Sequence, residues 1–258
     1  MDDGSARPRE WDAGIYHQVA APHQGWGAEI VERLTLRGDE TVLDLGVGTG
    51  RLAAQLLERL PSGHVIGVDG SRQMVEQARA VLDPERTTLI HSDLLALTLD
   101  TPADAAVSSA TFHWIADHDA LFARIRAALR PGAPLVAQCG GRGNVASIVS
   151  AARRVGDREP FAASLGGWPG SWNFAGPEET RERLERAGFD VDRVWLAESP
   201  QRPPHLRDYL RAVTLGAHLD RLAPELHDAY VDAVLAELGP DPVHDYVRLN
   251  LVARARVF

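Results

Sequence analysis

The chain has 258 residues, 45% hydrophobic and 24% charged, which suits one large α/β unit with an ordinary buried core. Its formal net charge of −9, with arginines scattered among acids rather than in runs, makes a nucleic-acid backbone a poor partner. A single cysteine, Cys139, excludes an intrachain disulfide and fits a reducing cytoplasm. The polar start MDDGSARPRE is unlike a signal peptide, and no uncharged apolar run of about 18 residues is present to span a membrane.

In chain order, residues 24–36 read as a helix with Ile30, Val31 and Leu34 on one face. Thr41–Leu45 is a short apolar strand, Gly46 to Gly50 a glycine turn, and Leu52, Leu56, Leu57 and Leu60 mark the next helix. The unit then repeats. His64–Asp69 is a strand, and Ser71 caps a helix running to about Leu82 with Met74, Val75 and Ala78 inward. Thr87–His91 and Asp104–Ser109 are further strands, Asp119 to Leu129 a helix stopped by Arg130-Pro131-Gly132, and Leu135–Cys139 a fifth strand. Cys139 reads as a buried strand-end thiol rather than a nucleophile.

Beyond residue 140 the alternation loosens. Asn144 to Arg154 and Glu178 to Ala187 read as helices around a glycine- and aromatic-rich loop, 156–177. Phe189–Ala197 alternates as a strand, 205–238 forms one or two helices broken near Pro224, and Val243–Val257 is a last strand. The expectation is a Rossmann-like α/β fold: a mostly parallel seven-stranded sheet with helices on both faces and an antiparallel last strand. The whole chain, 1–258, reads as one domain with an N-terminal cap segment 11–36 and insertions 144–187 and 205–238. In such sheets ligands bind at the carboxyl ends of the strands.

Three acidic residues end the first three strand units: Asp44, Asp69 and Asp93. Asp44-Leu45-Gly46-Val47-Gly48-Thr49-Gly50 joins a strand to a helix start, where glycines allow a tight turn and unpaired N–H groups await a partner. The dinucleotide fingerprint asks for a third glycine at the sixth position; from Gly46 that position is Arg51, from Gly48 it is Ala53, so only a relaxed match survives. Asp69 suits ribose hydroxyls. Asp93 suits an adenine amino group or, alternatively, a helix cap.

With Ser109-Ala110-Thr111-Phe112-His113-Trp114-Ile115, this stretch resembles the class I S-adenosylmethionine-dependent methyltransferases, and within them the trans-aconitate methyltransferase group that esterifies carboxylates. The resemblance covers residues 11–142 well and the remainder more loosely. It implies S-adenosylmethionine as cofactor, with no metal. It implies that Asp44, Gly46, Val47, Gly48 and Gly50 hold the methionine part, Asp69 the ribose, and Gly70 and Met74 flank the adenine. Ser92, Asp93 and Leu94 would hold the adenine edge, Ser109 and Ala110 the methionine moiety, and Tyr16 would belong to an N-terminal segment folding over the cofactor. Val47 stands where similar enzymes often carry a smaller residue.

The acceptor side is less explicit. A carboxylate is already ionised at neutral pH and needs no base, whereas a phenol or amine would use one. His113 is the candidate base, with packing as its ordinary alternative; His17, His23, Trp114, Arg142, Trp168 and Trp172 are candidate acceptor-binding residues. Arg142 could pair with an acidic acceptor, and Arg207 and Arg211 read as a charged helix face. The leading expectation is a cytoplasmic methyltransferase acting on a small carboxylic acid, without nucleic-acid or membrane partners. A phenol, amine or carbon acceptor with a histidine base, a nicotinamide oxidoreductase and a non-catalytic binding module are the alternatives. Oligomeric state is not legible.

Overall fold

A computed structural model describes residues 10–11, 23–202 and 205–257. Among these, the strands form one seven-stranded sheet in the order β3-β2-β1-β4-β5-β7-β6. The elements in chain order are α1 (His23–Glu32), β1 (Thr41–Leu45), α2 (Arg51–Arg59), β2 (His64–Asp69), α3 (Arg72–Val81), β3 (Thr87–His91), β4 (Ala105–Ser109), α4 (His118–Ala127) and β5 (Pro134–Gly140). There follow α5 (Ala146–Gly156), a short α6 (Ala162–Leu165), α7 (Pro177–Arg186), β6 (Phe189–Glu198), helical turns across 206–226, α8 (His227–Leu238) and β7 (Val247–Ala255). β1 to β5 pair in parallel, while β7 lies antiparallel between β5 and β6. The expected sheet and its antiparallel last strand are therefore present.

The central strands carry apolar side chains to both faces because both are covered by helices. Leu43 and Leu45 of β1 pack with Leu121, Phe122 and Ile125 of α4 and Leu184 of α7. Val42 of the same strand faces Ile30 and Val31 of α1 and Leu52, Ala53 and Leu56 of α2. A third apolar cluster lies outside the sheet, where Ile148, Ala151 and Val155 of α5 meet Tyr230, Val231 and Val234 of α8. The Tyr230 hydroxyl donates to Ala152 O (2.9 Å), tying the two helices together.

Helix starts follow their capping residues. Ser71 Oγ accepts from Met74 N, and Asp117 Oδ1 accepts from Ala120 N, each such cap stabilising by about 1 kcal/mol. Asp117 therefore starts α4 at His118, one residue before the position the sequence pattern suggests. α1 ends at Glu32 rather than 36, and the expected strand from 243 begins at Val247. The loop expected at 156–177 contains the short helix α6, because Phe161 and Leu165 enter the outer cluster.

Candidate active site

The site is built where β1, β2 and β4 end. Gly46 N and Val47 N both donate to Val68 O (2.8 and 3.0 Å), which folds the turn after β1 onto β2. Gly46 has φ 82°, and a Cβ there would fall 2.0 Å from Thr111 Oγ1. Only glycine meets both demands. Gly50 opens α2 at φ 86°, also in the left-handed region. Gly48 N donates to Asp69 Oδ2 (2.9 Å) and Ser71 N to Asp69 Oδ1 (2.8 Å), so the turn and the start of α3 hold one carboxylate from two sides. Burial pushes the Asp69 carboxyl up, against the lowering effect of these two N–H donors.

Asp44 is the unusual group. It is 1% exposed, and neither carboxyl oxygen has a hydrogen-bond partner among the described residues. Burial, followed by repulsion from Asp69, pushes its pKa up to about 7. An isolated buried carboxylate is costly, so this arrangement suits a cationic partner arriving from outside the chain. The ammonium of a methionine moiety has that character.

The other predicted cofactor residues gather around the same strand ends. Val47 and Met74 are 3% exposed, as core packing on β2 and α3 requires. Gly70 O bonds His91 Nε2 at 3.1 Å. Ser92 N donates to Asp69 O, which links the end of β3 to that of β2. Asp93 Oδ1 caps a short 3-10 turn by accepting from Leu95 N (2.9 Å), and Leu94 is buried beneath it. Ser109 ends β4, and Ala110 takes φ 58°, a conformation non-glycine residues seldom adopt, fixed by its N–H donating to Gln138 O (2.7 Å). Tyr16 and His17 lie outside the described residues; His23 opens α1, and its side chain lies outside them too.

Past Ala110 the character of the site changes. His113 is 7% exposed, and its Nδ1 accepts from Gly140 N–H (3.1 Å) at the end of β5. That contact requires a lone pair on Nδ1, so the neutral ring carries its proton on Nε2. Four rings then form a closed circuit with centroid separations of 5.0 Å (His113–Trp114), 6.3 Å (Trp114–Trp172), 5.6 Å (Trp172–Phe174) and 5.8 Å (Phe174–His113). The loop supplying Trp172 and Phe174 is pinned in place: Asn173 N donates to His113 O (2.8 Å), and its amide donates to Ala116 O (2.9 Å). Trp11 meets Trp114 edge-on at 5.1 Å.

Two expected acceptor residues lie elsewhere. Arg142 turns to Glu179 on α7 (3.0 Å), with its side chain 61% exposed. Trp168 packs on His218 and under Arg221, in the outer cluster. Arg207 bonds Asp232 and Asp228, and Arg211 bonds Asp228, as an ordinary charged face does. Sequence reading passed over Trp11, Gly140 and Asn173; each reaches the site through a contact to a residue distant in sequence. The Cys139 thiol is buried and pushed up to about 11, chiefly by that burial, which leaves it inert at neutral pH. A cavity of about 320 Å³ opens at the opposite, amino end of the sheet, where Arg37, Arg130 and Arg254 are each paired with an acid.

Residues 42–132 match a family model described as a methyltransferase domain. Over 258 aligned positions the chain is 30% identical to the trans-aconitate 2-methyltransferase of Methylobacterium radiotolerans, with 96% of each chain covered. It is 29% identical to the enzyme of that name from Methylobacterium nodulans, covering 95% of this chain and 98% of the relative. Among solved structures, the fold is similar to phosphoethanolamine N-methyltransferase 2 of Haemonchus contortus in complex with S-adenosyl-L-methionine. That likeness has a TM-score of 0.61 at 20% identity and covers 95% of this chain and 57% of the other. No helix among the described residues is long and apolar enough to cross a membrane.

Proposed function

We propose that this chain, which belongs to the class I S-adenosylmethionine-dependent methyltransferases, methylates a carboxylate oxygen of a small-molecule acceptor. The observation carrying this reading is the Gly140 N–H bond to His113 Nδ1, which occupies the lone pair that the neutral ring would use as a base. A ring whose lone pair is taken suits an acceptor that is already an anion. A base would be needed only for a phenol or an amine. The two Methylobacterium relatives are named for methylation of trans-aconitate, chemistry of the same type.

In this reading Asp44 takes the cofactor's ammonium, and the backbone of Gly46, Val47, Gly48 and Gly50 receives its methionine part. Asp69 faces the ribose, beside Gly70 and Met74; Ser92, Asp93 and Leu94 line the adenine; Ser109 and Ala110 border the methionine moiety. When bound, the cofactor supplies a methyl on a sulfonium: the carboxylate oxygen's lone pair forms the new C–O bond, the C–S pair stays on sulfur, and no proton moves. The chain's contribution is orientation and exclusion of water. In this reading the His113, Trp114, Trp172 and Phe174 rings border the acceptor and displace solvent around it.

The test is ester formation from a panel of carboxylic acids, followed between pH 6 and 9. With the cofactor saturating at every pH, a carboxylate acceptor gives a rate that stays flat over that range. His113→Ala should lower kcat/KM by about tenfold or more, through loss of a packed ring that positions the acceptor, with the profile still flat. Methylation of a phenol or amine, with a rising pH limb that His113→Ala removes, would sink the reading.

A further inference from the structure

We infer that Glu10 is a positioning residue: its carboxylate, seated on the start of α3, holds Trp11 against Trp114 across the end of β1 and so slows release of S-adenosylhomocysteine. The inference rests on the cofactor placement proposed above and adds a residue which that placement does not use.

The seat is specific. Ser71 Oγ donates to Glu10 Oε2 (2.9 Å), Arg72 N to Oε1 (3.0 Å) and Gln73 N to Oε2 (3.5 Å). A carboxylate there meets unpaired N–H groups and the positive end of a ten-residue helix. The helix does not need Glu10 in order to begin, because Ser71 Oγ already accepts from Met74 N (3.4 Å) as its cap. Trp11 N donates to the same Ser71 Oγ (3.4 Å). What these bonds fix is the path of the chain at residues 10 and 11.

That path matters because of the sheet order. Ser71 follows β2, Trp114 follows β4, and β1 lies between those strands. Neighbouring strands lie about 4.8 Å apart, so the two anchors stand on opposite sides of the β1 end, with roughly 10 Å of sheet between their strands. Glu10 takes one side, and the Trp11 ring, edge-on to Trp114 at 5.1 Å, takes the other. The dipeptide thus bridges the strand end that bears Asp44 and the Gly46–Gly50 turn. On the β2 side Ser71 N also donates to Asp69 Oδ1 (2.8 Å), and Asp69, raised chiefly by burial, is raised further by the Glu10 charge. The seat therefore adjoins the carboxylate assigned to the ribose, and a ligand beneath the bridge leaves when one anchor opens.

The experiment measures release of tritiated S-adenosylhomocysteine, chased with excess unlabelled compound, from the native protein, Glu10→Ala and Glu10→Gln. Glu10→Ala should release it about fivefold faster or more, since loss of contacts to a charged group appears mainly in the dissociation rate. Glu10→Gln keeps one acceptor oxygen for the α3 N–H groups and should fall between the two. Glu10 is exposed, so the melting curves should coincide. In the 5-fluorotryptophan-labelled complex, the Trp11 resonance, identified by its loss in Trp11→Phe, should move in Glu10→Ala toward the position of a solvent-exposed tryptophan. Release from Glu10→Ala within twofold of native overturns the inference and leaves the cofactor placement standing. Faster release with an unmoved Trp11 resonance also overturns it, because Glu10 would then act without Trp11. A native protein that does not bind S-adenosylhomocysteine overturns both.

Discussion

The two halves of the site are built on opposite principles. The cofactor half is polar and local: Gly48, Asp69 and Ser71 lie within one strand–turn–helix neighbourhood, and its bonds are short backbone contacts to a carboxylate. The acceptor half is aromatic and assembled at long range, with Trp11, Trp114 and Trp172 brought together from distant segments. The polar half stores its cost openly, as a buried carboxyl without a hydrogen-bond partner among the described residues. The aromatic half carries no such charge and gains from each ring it buries. Recognition of a constant cofactor tolerates a rigid, strained cradle. The aromatic rings sit on segments outside that cradle, which can change without disturbing it.

The comparison can be broken most severely at Gly46. Gly46→Ala puts a Cβ against Thr111 at positive φ, so it should cost about 3 kcal/mol or more, lowering Tm by roughly 6–12 °C and abolishing S-adenosylhomocysteine binding. A melting curve unchanged from that of the native protein would show that the turn is not strained.

Asp44→Asn sharpens the contrast, because the two readouts move in opposite directions. S-adenosylhomocysteine affinity should fall about 100-fold, while the apo protein becomes more stable at pH 8. The sign follows from the direction of the shift. Asp44 is raised to about 7 from an unfolded value near 4, so its stabilising contribution is full below pH 4 and is lost as pH rises through 7. The native apo protein should therefore lose stability between pH 4 and 8 by an amount bounded at about 4 kcal/mol, and the Asn variant should lose less. Cofactor affinity in the native protein should rise over the same interval as the carboxyl ionises. Denaturant melts and calorimetry at pH 5 and 8 read both, and an affinity that falls with pH would remove Asp44 from the ammonium site.

The smallest effect is expected at Arg142. Its exposed pair with Glu179 is worth less than about 1 kcal/mol, and Arg142→Ala should change the acceptor KM by less than twofold. A tenfold rise would return Arg142 to the acceptor site.

Much of the candidate cofactor half could be located from the sequence because its signals are consecutive residues. Asp44 to Gly50 is a strand end, a turn and a helix start in seven positions, and the β1, β2 and β3 bounds follow directly from short apolar runs between breakers. The acceptor half was not legible to that degree. Arg142 has the position of a ligand-binding residue, but Glu179, 37 positions later, draws it outward. His113 reads as a base until Gly140 N–H, 27 positions on, settles its tautomer. Neither partner announces itself locally; only the fold makes them neighbours. The helices from 206 onward were placed in outline, while the cluster they form with α5 depends on contacts such as Tyr230 to Ala152, 78 residues apart.

The position of β7 has a consequence for how the molecule is made. It is the final strand of the sheet in chain order, yet it sits between β5 and β6 and pairs with both along most of its length. During synthesis, β5 and β6 are each finished while the strand between them is still unmade, so both wait with open hydrogen-bonding edges until residues 247–255 arrive. The nascent chain is thus prone to misassociate in the interval before β7 is made, when two sticky edges wait for the one segment that satisfies both.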